Sequence, residues 1–246
     1  MQPNPCDYRE RTYRNKILKN DFNNYSVTVR ESDLFISTDT DLREIATRSV
    51  LQHRGAIESY IQAYPDFLTS LSPLKYDESA PGIVRDMLKA STMARVGPMA
   101  AVAGAISEYV GRDLVPYSQN VIIENGGDIF IHSKRDVHIA IFAGNSPLSW
   151  HVSLVVHKEE MPMGICTSSA TVGPSLSFGC ADAVCVKASS VSLADAAATA
   201  IGNNVKSKGD IRRALKEGMK IEQVLGIVII VADQIGAIGN MELMRL

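Results

Sequence analysis

Glu124-Asn125-Gly126-Gly127-Asp128-Ile129-Phe130-Ile131 is the stretch that decides the fold. A tight polar turn here delivers an acidic residue straight into a strand of alternating apolar residues. Working outward, a strand over Asn120–Glu124 precedes the turn and a strand over Ile129–His132 follows it. Ser133-Lys134-Arg135-Asp136 then turns the chain into a strand over Val137–Phe142. A further hairpin is expected from Trp150 to Ile165, bending at Glu159-Glu160-Met161-Pro162. Toward the carboxyl end come a Ser/Gly-rich loop (Thr167–Gly179), a strand (Ala183–Ala188) and a helix (Leu193–Asn203). A short polar helix (Asp210–Glu217) and a last hairpin, Val224–Ala232 with Ile235–Ile238, complete that half.

Toward the amino end, Tyr25–Val29 alternates, Glu31-Ser32-Asp33 turns, and Leu34–Ser37 runs back as a second strand. Thr38-Asp39-Thr40-Asp41 offers cap residues for a helix over 41–63, limited by Pro65. Phe67 to Pro81 reads as a loop. A helix from Ile83 to Arg95 follows, and another from Pro98 to Val110 that stops at Gly111. Proline suits a first helical position because the amide it lacks had no partner there. The small residues Ala100, Ala101, Ala103, Gly104 and Ala105 give that last helix a face that another backbone or a ligand can approach closely. This order of strands, hairpins and helices specifies an α+β fold with a largely antiparallel β-sheet and packed helices. Val96-Gly97-Pro98 recurs as Val172-Gly173-Pro174, an echo that suggests internal duplication. No linker is evident, so residues 1–246 are expected to form a single domain.

A formal charge of −2 and a pI near 6.2 give no electrostatic reason to seek nucleic acid or a membrane surface. The opening MQPNPCDYRERTYRNK has no apolar stretch ahead of Cys6, which argues against a secretory signal or lipid anchor. The apolar run Leu225–Ala232 is too short to cross a bilayer and fits a buried strand. Cys6, Cys166, Cys180 and Cys185 are too sparse for a disulfide framework, so reduced thiols and a cytoplasmic setting are expected.

Four segments could carry chemistry. Consecutive glycines in Asn125-Gly126-Gly127-Asp128 could aim amides at an anion, with Asp128 accepting from a ligand or a metal-bound water; the plain alternative is a turn. Gly97-Pro98 opens a helix whose free amides and dipole suit phosphate. Thr167, Ser168 and Ser169 begin a hydroxyl-rich loop suited to a polyoxygenated ligand, or one that caps itself. Asp195 and Thr199 share a helix face, an oxygen pair that Mg²⁺ accepts, but Ser192-x-x-Asp195 also matches a capping pattern. His132 with His138, and His151 with His157, could face one another, yet no third ligand accompanies them and strand-surface roles are expected. His53 gives no signal.

Five segments in order, ESDLFI, VGPMAAVAGAISEYVG, ENGGDIFI, CTSSATVGPSLSFGCADAV and LADAAATAIGN, make the chain resemble an uncharacterised archaeal and bacterial family. That family is related to the ApbE-type FAD:protein FMN transferases. The resemblance implies an ApbE-like domain across most of the chain, Mg²⁺-assisted cleavage of the FAD pyrophosphate, and passage of FMN to a hydroxyl of a flavoprotein acceptor. It places metal at Asp195 and Thr199, flavin contacts at Asn125, Gly126, Gly127 and Asp128, and a nucleotide-side loop at Thr167-Ser168. The chain departs from the transferases in lacking their His-Ile-Ile-Asp-Pro-like segment after the Thr-Ser loop. It also lacks their lysine between Gly97 and Gly111. Within the closer family, Ala170 and Pro174 stand where glycine and histidine are expected.

Two functional readings follow. One is a Mg²⁺-dependent transferase or hydrolase acting on a flavin- or nucleotide-type pyrophosphate. The other is a non-catalytic protein that binds such a ligand. A third reading gives the small residues packing roles alone. An exposed strand edge would also suit a homo-oligomer.

Overall fold

The computed structural model describes residues 22–172 and 177–246. Cys6 and the charged amino-terminal segment lie outside them, as do Gly173 and Pro174 of the repeated tripeptide. Eight strands form one antiparallel sheet in the order β1 (Asn23–Val29), β2 (Ser32–Thr38), β3 (Val121–Asn125), β4 (Asp128–His132), β7 (Met163–Ser168), β8 (Ala183–Ala188), β9 (Val224–Val231) and β10 (Gln234–Gly239). A second sheet holds β11 (Glu242–Arg245), β6 (Val152–Val156) and β5 (Val137–Ala140), in that order. The α+β reading with a largely antiparallel sheet stands.

Helices cover one face of the large sheet: α1 (Arg43–Ala63), the short α2 (Asp66–Thr69), α3 (Gly82–Ala94), α4 (Val102–Leu114), α5 (Val191–Asn203) and α6 (Ile211–Gly218). Their apolar faces meet Leu34, Ile36, Ile123, Val184 and Ile229 in the main core. The opposite face of the sheet buries Ile131, Ile165, Cys185 and Ile230 against Leu154 and Val156 of the small sheet. The alternation along each strand feeds both layers, because successive side chains point to opposite faces.

Three expectations need correction. The stretch from Trp150 to Ile165 is not a hairpin: β6 pairs with β5 and β11, while β7 pairs with β4 and β8. The link between them is anchored instead of turning back. Glu160 accepts from Lys187 Nζ of β8 at 2.8 Å and from the Asn240 side chain, and its other oxygen accepts from His157 N. The helix after Pro98 begins as a 3₁₀ turn, becomes α-helical at Val102 and runs past Gly111 to Leu114. Gly111 does not stop it; a Cβ there would stand 2.1 Å from the Phe130 ring, so glycine lets β4 pack against the helix. Finally, the segment after Pro65 contains the one-turn α2, which buries Phe67. The paired histidines do not meet across strands: His138 lies opposite Val155, and His157 stands between Asp136 and Glu242.

Candidate functional site: a carboxylate pair at crossed helix starts

The Asn-Gly-Gly-Asp turn joins β3 to β4 with Asn125 opposite Asp128. Gly126 and Gly127 have φ of 70° and 106°. A two-residue hairpin loop of this hand needs positive φ at both positions, which glycine supplies without strain. The turn is internally occupied. Gly127 N donates to Glu124 Oε1 at 2.8 Å, and Gly127 O accepts from Thr167 N at 3.1 Å. The Gly127 amide is therefore spent on a carboxylate of its own hairpin and is not presented to an anion. Asn125 Nδ2 donates to Ala103 O at 3.1 Å, tying the turn to the start of α4.

Asp128 sits opposite Cys166 of β7 and is 8 % exposed. Asp195 projects from the second turn of α5 and accepts from Gly104 N at 2.9 Å. The capping expectation is thus corrected in its partner: Ser190 caps α5 through Leu193 N, whereas Asp195 caps α4. Cys166 Sγ is 3.4 Å from Val191 O and within hydrogen-bonding reach of Asp128, and the charges of both acids act on it. The sequence reading passed over this thiol. The register of β7 beside the glycine turn is what brings it in.

Burial dominates the electrostatics. It pushes the Asp128 carboxyl up to about 7, the Cys166 thiol pulls it partly back, and the charge of Glu124 adds to the rise. Asp195 is driven well above the ordinary range, first by burial and then by Asp128, while the amides of Gly104 and Ala103 oppose the rise. Among the described residues, no cation is among the groups acting on either acid. Two neighbouring carboxylates without a counter-charge cannot both ionise cheaply.

Thr199 lies four residues beyond Asp195 on the same half-buried face of α5. Ser168 lies near Gly202 at the far end of that helix, its Oγ 3.7 Å from where a Cβ would stand. Ser169 is engaged in its own loop, accepting from Thr171 N at 3.1 Å and Val172 N at 3.0 Å. Gly97 serves a backbone crossing, since a Cβ there would fall 1.7 Å from Ser70 O. Asn125, Gly127, Asp128, Thr167 and Asp195 are therefore brought together, while Ser169 and Gly97 are taken up by a turn and by packing. A cavity of about 240 Å³ opens at the other end of β4 beside Glu108, Arg112 and His132. An apolar groove of about 570 Å³ lies between β10 and β11. Neither is lined by Asp128 or Asp195.

Oxygen donors of this kind suit a hard divalent cation, which would relieve the repulsion between the acids. Among the described residues no three His, Cys, Asp or Glu side chains are grouped to hold one. A ligand would have to supply further oxygens. Among the described residues, too, no helix is long and apolar enough to cross a membrane.

Comparison with known proteins agrees with this architecture. A UPF0280 protein of Methanococcus aeolicus is 40 % identical over 220 residues, covering 87 % of this chain and 89 % of that protein. One from Methanocaldococcus jannaschii is 42 % identical over the same shares of both chains. Among solved structures, the apo flavinyl transferase ApbE of Pseudomonas stutzeri is similar in fold at 13 % identity and TM-score 0.53, covering 89 % of this chain and 94 % of that one. A point variant of flavin transferase ApbE from Vibrio cholerae reaches TM-score 0.57 at 11 % identity, covering 89 % and 97 %. The family described as AbpE bacteria matches residues 15–244, and the chain belongs to it.

Proposed function

We propose that this member of a family sharing the ApbE fold is a Mg²⁺-dependent transferase or hydrolase acting on the pyrophosphate of a flavin or related nucleotide. The observation that carries the reading is the Asp128–Asp195 pair: burial raises the proton affinity of both acids, the charge of Asp128 raises that of Asp195 further, and among the described residues no cation acts on either. Asp195 and Thr199 would hold the ion, with Asp128 supplying charge from the β4 side. When bound, the ion supplies Lewis-acid charge to a pyrophosphate oxygen. Asn125 ties the turn to the start of α4, and the bond from Thr167 N to Gly127 O joins the turn to β7, so Asp128 is held beside the helix that Asp195 caps. In the transferase form of the reading, a flavoprotein hydroxyl accepts the FMN; in the hydrolase form, water does.

A second reading, a binder without turnover, draws on one observation. Among the described residues no histidine or lysine acts on either acid, which leaves the pair without an imidazole base or a second phosphate-directed cation from those residues.

A thermal-shift titration with FAD, FMN, ADP and ATP, each with and without Mg²⁺, tests both readings. A Mg²⁺-dependent shift with FAD, followed by release of FMN and AMP, is the enzyme's outcome. A shift without products is the binder's. No shift with any of the four would overturn the pyrophosphate assignment.

A further inference from the structure

The helix starts behind the site draw attention to a residue with no motif to mark it. Glu108, in the second turn of α4, is 2 % exposed. Its Oε2 accepts from Val191 N at 2.9 Å, Ser190 Oγ at 3.0 Å, and Ser192 N and Oγ at 3.1 Å each. Arg112 holds its other oxygen. The first amides of a helix have no partner inside it, and those of Val191 and Ser192 at the start of α5 find theirs on α4. The reverse is also true. Asp195, in the second turn of α5, accepts from Gly104 N of α4 at 2.9 Å. Each helix caps the other with a carboxylate. Between the two caps the backbones nearly touch, since a Cβ on Gly104 would stand 2.5 Å from Val191 O.

We propose that Glu108 is the positioning residue of the Asp128–Asp195 site: it fixes the start of α5 against α4 and thereby sets where the Asp195 carboxylate stands. Asp195 is only one helical turn from Val191, so a displaced helix start moves its carboxylate by a comparable distance. The metal-binding consequence rests on the reading given under Proposed function; the coupling between the two caps does not. Removing a residue that orients a metal ligand costs about 10- to 100-fold in affinity.

The experiment uses the full chain carrying Glu108→Gln, Asp195→Asn, or both, with Val110→Ala as a comparison. Val110 is fully buried on α4 and its apolar side chain makes neither capping bond, so its truncation destabilises the helix without removing either cap. Glutamine retains the size of Glu108 but replaces one acceptor oxygen by a donor and removes the charge. Unfolding in guanidinium should show non-additive effects of Glu108→Gln and Asp195→Asn, the double variant losing less than the product of the two single losses in folding equilibrium constant. Mg²⁺ titrated against FAD-saturated protein should bind Glu108→Gln at least tenfold more weakly than wild type, and Val110→Ala within twofold of it. Additive losses, or equal Mg²⁺ responses from Glu108→Gln and Val110→Ala, would overturn the proposal. If wild type itself shows no Mg²⁺ response, the functional reading falls and additivity alone decides the role of Glu108.

Discussion

Replacing Gly104 by alanine probes the helix crossing on which the site is built. The added methyl would stand 2.5 Å from Val191 O, 2.8 Å from Asp195 Cβ and 2.9 Å from Val191 C. Ordinary contact between such atoms begins near ~3.5 Å, so α4 and α5 must separate by roughly 1 Å. Two of the three obstacles are backbone atoms, which cannot swing aside as a side chain would. Overpacking of this kind costs about 1–3 kcal/mol. Parting the helices also stretches the bond from Gly104 N to the Asp195 carboxyl, and an intramolecular hydrogen bond contributes about 0.5–1.5 kcal/mol. Alanine recovers about 1 kcal/mol through its better helix propensity. The net expectation is a loss of about 0.5–3.5 kcal/mol, or a fall in Tm of about 1–14 °C for a chain this size. Guanidinium unfolding and calorimetry measure it directly. Gly55→Ala in α1 is the matched control, because no atom lies within 4 Å of its Cβ position. There the same change should stabilise by about 0.5–1 kcal/mol. A Gly104→Ala protein as stable as the Gly55→Ala protein would refute the close crossing and, with it, the cross-capped site.

Two pH profiles give further checks. Asp128 keeps its proton up to about 7 in the fold, whereas a free Asp carboxyl loses it near ~3.9. The folded state therefore binds more protons across that interval, and stability falls as pH rises through it. Asp128→Asn should flatten the fall in EDTA-treated protein, seen by urea unfolding at several pH values; an unchanged profile would mean that Asp128 is already ionised. Asp39 has the opposite sign. Burial alone would raise it, but bonds from Asn120, Ser118 and the Gln119 amide outweigh that and hold it below the usual range. Its contribution is complete above the ordinary value near ~3.9 and is lost as pH falls through the lowered folded value. Asp39→Asn should thus be less stable than wild type at neutral pH and converge with it in acid. A deficit of equal size at both would remove the charge from the explanation.

The local chemistry of the chain determined a good deal by itself. Apolar alternation marked β1 and β4, a continuous apolar run marked β9, and Asn125-Gly126-Gly127-Asp128 specified a two-residue hairpin that only positive-φ residues close easily. Helical spacing of apolar residues in 41–63 marked α1, and the helix read after Pro81-Gly82 proved to be α3. These features depend on neighbours a few positions apart, which is why they can be read without coordinates. Tertiary structure decided what depends on distant partners. Alternation in 152–156 and 163–168 makes two strands, but it does not say that they join different sheets. That choice comes from Glu160 being held by Lys187 and Asn240. The short strand β11 was missed for the same reason, being defined by its pairing with β6. At the site, the sequence offered Asp195 a cap on its own helix. The crossing of α4 and α5 gave it one on the other, because Gly104 lets the two backbones meet where an amide of one helix faces a carboxylate of the next. Asp128, Cys166 and Asp195 are dozens of residues apart in the chain. Sheet register and helix crossing bring them together, and the burial that follows is what changes their chemistry.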